Sequence, residues 1–290
     1  MSHWAGPAPG AGFDVSLLTW NFEPVMVAPV LMTATLYVRG WRIASRRMPD
    51  RFDRRHLVAM TAGLFTIVLA LASPLDALSA RLLLAHMTQH LLLMVVAPPL
   101  LWMGKPVVPL LLALAPPVRR TVVGALARPE VRLLSHVLTD PLVSWAVFVV
   151  AFWTWHVPAL YELALRSDFW HHVEHACFFG TACLFWRPAI LPWPARSAWP
   201  RWAMIPYLAL ADVQNSALAA ILTFSDRVIY PAYGALPPMW GLSPLEDQAI
   251  AGVIMWVPGS LAFLLPVVWL VATTLTAARP VLRRPAPRRA

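Results

Sequence analysis

Seven long apolar runs constrain this chain more than any other feature. They fall at roughly 22–40, 56–73, 82–103, 140–160, 170–187, 202–224 and 247–276. A helix crossing a ~30 Å hydrocarbon core needs about 20 such residues. The expected fold is therefore all-α: a polytopic transmembrane helix bundle of about seven spans. It forms one domain over residues 21–278, flanked by a Gly/Pro/Ala-rich N-terminal tail (1–20) and a basic C-terminal tail (279–290), both expected to be mobile. A shorter Pro-bounded stretch, Pro106 to Pro117, cannot cross and is read as interfacial or re-entrant. Composition agrees. Charged residues make up 13% of the chain, against about 25% in soluble domains. Its 15 Trp suit a residue that settles at the headgroup level.

Charge sets the expected orientation. Of the 23 basic residues, all but Arg81, Arg166 and Arg227 fall within 39–55, 104–139, 187–201 or the C-terminal tail. The positive-inside rule then places the N-terminus outside and the C-terminus in the cytoplasm, which requires an odd number of crossings. The net charge of +9 is thereby explained as topology, and nucleic-acid binding is not expected. The first 20 residues hold no Lys or Arg, so no cleavable signal peptide is expected, and the first run reads as a span of a multi-pass bacterial inner-membrane protein in contact with lipid. Cys177 and Cys183 lie six apart in one apolar run. They match neither a metal motif nor a disulfide framework.

With this topology, six of nine histidines share one membrane face. His86 and His90 open span three, His156 closes span four, and His171, His172 and His175 open span five. Ionisable residues in spans are costly and point to function. His86 and His90 are i,i+4 on one helix face, and His171 and His175 repeat the spacing. His172 can replace His171 as an i,i+3 partner of His175. Pro158 constrains the backbone that follows His156. Two pairs and a fifth imidazole at similar depth can supply a soft or borderline metal. Met87 and Met94 offer thioethers suited to Cu(I), although Met87 lies one residue off the histidine face. A single such pair would more simply be structural. His3, His56 and His136 are scattered and read as structural. Asp212, Gln214, Asn215 and Ser216 sit mid-span in span six. Asp247, with Gln248, opens span seven. It is a candidate acceptor for an imidazole N–H or simply an acid at a helix N-terminus.

Four segments together resemble the multi-spanning CtaG family of cytochrome c oxidase assembly factors: HMTQHLLLMVVAPPLLWMG (86–104), WHVPALYELAL (155–165), HHVEHACFFGTACLFW (171–186) and DQAIAGVIMWVPG (247–259). The resemblance covers spans three to seven. It implies a non-enzymatic role in maturing haem–copper oxidase, by holding and delivering copper, as Cu(I), at the outer face. It also implies an oxidase subunit and a copper donor protein as partners. The family's motif positions fall here on His86, His90, His156, His171 and His175, with Asp247 and Gln248 in the span-seven motif. Three alternatives stay open, one of them an ion or solute transporter, suggested by Asp212 at the midplane of span six. Histidines on facing helices can ligate haem in a redox protein. His171 to His175 also satisfies H-x-x-E-H, in which Glu174 would be the general base of a zinc peptidase.

Overall fold

The computed structural model describes residues 20–195 and 199–278, and the two tails lie almost wholly outside them. The architecture is all-α. In chain order the helices are α1 (Pro24–Arg47), α2 (Arg54–Ala72), α3 (Pro74–Ser79) and α4 (Leu83–Leu91). A π-helical segment, Leu92–Val96, joins α4 to α5 (Ala97–Met103). Then come α6 (Val107–Ala113), α7 (Pro116–Leu126), α8 (Pro129–Leu138), α9 (Pro141–Trp155), α10 (Pro158–Arg166) and α11 (Asp168–Ile190). A 3-10 turn, Arg201–Ala203, leads into α12 (Met204–Phe224), followed by α13 (Pro231–Gly234) and α14 (Pro244–Ala278). The many prolines act largely as helix starters. Pro24, Pro74, Pro116, Pro129, Pro141, Pro158 and Pro231 each open a helix, where the missing N–H is not needed and the fixed φ favours the first turn.

Four helical stretches are long and apolar enough to cross a membrane: Arg54–Ala72, Leu83–Met103, Arg201–Phe224 and Pro244–Thr276. A fifth is added if α8 and α9, bent by 65°, count as one span. Length and composition thus support four to five crossings where the sequence suggested about seven. The difference has local causes. The run expected over 140–160 breaks at His156, because Pro158 starts a new helix. At 15 residues, α9 alone covers only about 22 Å. α1 and α11 are long, at 24 and 23 residues. They carry arginines at the end of one and histidines with Glu174 at the start of the other. The stretch from Pro106 to Pro117 holds α6, seven residues long, which packs against α1 at Gly40.

The helices leave two ends of different character. The loops after α1, α5 and α11 meet at one end: Lys105 Nζ donates to Arg51 O at 3.0 Å, and the Arg51 guanidinium lies 5.6 Å from the Trp193 ring centroid. The starts of α4 and α11 and the end of α9 lie at the other. The principal core gathers side chains from α4, α9, α11, α12 and α14, among them Phe148, Phe178, Phe185 and Phe263. Outward, α14 exposes Val257, Leu261, Leu265 and Val268. An apolar outer face over internally bonded helices is what lipid requires.

The π segment has an identifiable origin. Pro98 has no N–H, so the Met94 carbonyl loses its ordinary i+4 donor. Trp186 Nε1 donates to that carbonyl at 2.9 Å, and the Ala97 N–H reaches back to Leu92 O. The bulge therefore holds α11 against the helix that bears His86 and His90.

Candidate metal centre

Asp247 fixes the start of α4. Its carboxylate accepts from the backbone N–H groups of Leu83 at 2.7 Å and Leu84 at 3.0 Å. Those are donors that a helix cannot satisfy internally, and an acid is favoured there by the helix dipole. Asp247 thus acts on the cluster through the helix it caps. Gln248, next in sequence, accepts from Ile229 N at 2.7 Å and donates to Arg227 O at 3.1 Å. It ties down the loop that presents Tyr230 and Tyr233.

The three helix ends bring five imidazoles together. Ring centroids of His86 and His90 are 4.3 Å apart, and those of His171 and His175 are 4.2 Å apart. The pairs interlock, with His86 at 5.2 Å from His171 and His90 at 5.4 Å from His175. His156 lies on the inner side, 6.1 Å from His90. His86, His90, His156 and His175 are buried, whereas His171 is half-buried and gives the group its solvent edge. His172 is exposed. Met87 is fully buried one position after His86.

At the centre stands Glu174. It is fully buried, 3.5 Å from His86 Nε2 and 3.8 Å from His90 Nε2. One ligand atom from each of His86, His171, Glu174 and His175 lies within 4.8 Å of the other three. Sequence reasoning weighed Glu174 only within the H-x-x-E-H pattern. An acid inside an apolar helix, three residues after one histidine and one before another, was the available signal.

The tautomers follow from neighbours. The Tyr233 hydroxyl donates to Ser79 O at 2.8 Å, so its 3.1 Å contact with His86 Nδ1 is one it accepts. Nδ1 then carries the proton, and the Nε2 lone pair of His86 accepts from His90 Nε2 at 2.8 Å, which leaves His90 Nδ1 unprotonated and without a partner. Burial pushes the Tyr233 phenol well above its ordinary value, which keeps it a neutral hydroxyl. His156 Nδ1 lies 2.7 Å from Phe152 O. A carbonyl can only accept, so Nε2 of His156 is free. Tyr161 lies tilted against His86, with centroids 5.0 Å apart, and stacks on Tyr230 at 4.0 Å, closing the cluster on one side.

These residues fit a metal ion. His90 Nδ1, His156 Nε2, His171 Nε2, His175 Nε2 and both Glu174 oxygens are buried without a hydrogen-bond partner. Orphaned polar atoms in such number are rare in a folded interior. Glu174 in its ionised form also needs a countercharge, and neutral imidazoles supply none. A cation among these atoms would satisfy both requirements. Imidazole suits copper or zinc, among others, so the donor set alone leaves the metal open.

A model of the cytochrome c oxidase caa3 assembly factor family matches residues 35–277. The chain belongs to this family. The family segment contains all five histidines, Glu174, Tyr233 and Asp247. An uncharacterized protein of Mycobacterium bovis is 25% identical over 270 residues, covering 88% of this chain and 39% of its own length. Uncharacterized proteins of Mycobacterium tuberculosis and Mycobacterium leprae are 25% and 24% identical over similar spans. The chain thus spans about two-fifths of the length of these relatives. No solved structure matches.

Proposed function

We propose that this family member is a non-enzymatic assembly factor that holds copper, as Cu(I), at the outer membrane face and delivers it to a haem–copper oxidase subunit. His86, His90, His156, His171 and His175 are the proposed ligands, joined by Glu174. A copper donor protein would load the site at the half-buried His171 edge. The chain would cross the bacterial plasma membrane about seven times with its N-terminus outside, as a single membrane domain.

The observation that carries this reading is the convergence of imidazoles on one buried, unpartnered carboxylate. A monovalent ion beside one carboxylate and neutral imidazoles gives a net neutral cluster, the least costly arrangement in a low-dielectric interior. A divalent ion would leave a buried positive charge. The ring packing also weighs against haem, since imidazoles 4.2 to 6.1 Å apart leave no flat slot for a porphyrin between them. The cargo must leave again. The partly exposed edge at His171 suits reversible exchange better than a closed structural site.

Copper content of the purified protein after Cu(I) loading tests the proposal. Wild type should retain metal. Glu174→Gln, which keeps shape and volume, should weaken retention by on the order of 10- to 100-fold, and a His86→Ala/His90→Ala/His175→Ala variant should abolish it. Equal copper in all three proteins would sink binding at this cluster, and equally little in all three would sink direct binding altogether.

A further inference from the structure

A cavity lies inside the bundle directly inward of the cluster, with about 20 Å³ of room for the centre of a water-sized occupant. That is enough for one water or one small ion. Its walls come from α4, the π segment, α9, α12 and α14. They include three thioethers, Met87, Met94 and Met255, together with His90, His156 and Gln214. Three of its polar groups are unsatisfied: His90 Nδ1, His156 Nε2 and both ends of the Gln214 amide are buried without partners. His86, His90 and Met94 follow one another at intervals of four residues, each step about 6 Å along a helix. A row of donors thus runs from the outer cluster into the chamber, changing from nitrogen to sulfur as it goes. The π segment carries Met94 at the inner end of this row, and such bulges recur at functional sites.

We propose that this chamber is a second, inner metal station for a soft monovalent cation, Cu(I), bound by thioether sulfur from Met87, Met94 and Met255 with His90 and His156. When both sites are filled these two imidazoles turn to the inner ion, and the outer ion keeps His86, His171, Glu174 and His175, whose ligand atoms lie within 4.8 Å of one another. Thioethers discriminate against hard and divalent ions and select Cu(I). The chamber contains no carboxylate, so an ion there keeps its charge in an apolar surround and is held more weakly than beside Glu174. The cluster fills first and the chamber second. That order of filling rests on the cargo role proposed for the cluster, whereas the chamber's ligand chemistry does not.

X-ray absorption on the purified full chain, loaded with one and then two equivalents of Cu(I), tests this. The first equivalent should show nitrogen and oxygen scatterers and the second should add sulfur. Met87→Leu/Met94→Leu/Met255→Leu, a set of volume-conserving changes, should lower capacity from two ions to one and remove the sulfur signal. Wild type that stops at one equivalent, or binds a second without sulfur, would overturn the proposal. So would a sulfur signal that persists in the triple variant. A His171→Ala/Glu174→Gln/His175→Ala protein separates the two readings. If it loses one equivalent but keeps the sulfur signal, both stand. If it binds as wild type does, with sulfur present, the cluster reading fails and the chamber remains.

Discussion

Tyr233 is the residue on which the ligand state of His86 depends. Its hydroxyl has one proton, committed to Ser79 O, so it meets His86 as an acceptor and holds the imidazole with Nε2 unprotonated. Tyr233→Phe keeps the ring packing and removes both that acceptor and the hydrogen bond donated to Ser79 O. Outer hydrogen-bond partners of metal-binding histidines typically control 10- to 100-fold in affinity. The expected outcome is a Cu(I) affinity weakened within that range, with stoichiometry unchanged and stability lower by about 1 kcal/mol for the lost bond to Ser79. A competition titration with a chromophoric Cu(I) chelator measures it, and an unchanged affinity would remove Tyr233 from the account. Sequence could not reveal this contact, because the partners lie 147 residues apart and a tyrosine in a short loop has no distinguishing pattern. The i,i+4 histidines were legible for the opposite reason: their relationship is local and fixed by helix geometry. Glu174 falls between these cases. Its position was visible, but its meaning depends on His86 and His90, which reach it from another helix.

Element packing is decided by a few close approaches. α12 lies along α14 at Gly252, where an added Cβ would come within 2.8 Å of Ala219 O and of Thr223 N. Both are backbone atoms of α12 that cannot rotate away. Gly252→Ala would gain about 1 kcal/mol of helix propensity and lose about 1–3 kcal/mol to overpacking. The net expectation is destabilisation, read as a lower thermal midpoint by circular dichroism in detergent. Gly180→Ala is the control, since nothing lies within 4 Å of its added Cβ. Its midpoint should hold or rise, and equal losses in both proteins would refute the packing argument. The same scale explains what hydropathy reported well and badly. Apolar runs located the long helices, but a run cannot show that Pro158 ends α9 early. Nor can it show that Pro98 forces a π segment whose spare carbonyl is taken by Trp186.

The molecule as a whole has one basic end and one histidine end. The contacts among Lys105, Arg51 and Trp193 bring three of the arginine-rich segments together physically, away from the cluster. Arg81, Arg166 and Arg227 are the only basic residues in the alternate loops. Lys and Arg near span ends set orientation because they resist translocation, so the cluster should face outward, where a donor protein in an oxidising compartment could reach His171. Two exposed acids mark the two ends without altering the basic count: Asp50 in the arginine loop and Asp226 in the loop before Tyr230. With Cys177 and Cys183 first replaced by Ala, Asp226→Cys should react with a membrane-impermeant maleimide on right-side-out spheroplasts. Asp50→Cys should react only after the membrane is opened. The reverse pattern would place the imidazoles on the cytoplasmic side and end the proposal that copper is received at the outer face. Labelling of both positions before lysis would contradict a bundle whose basic loops all lie on one side.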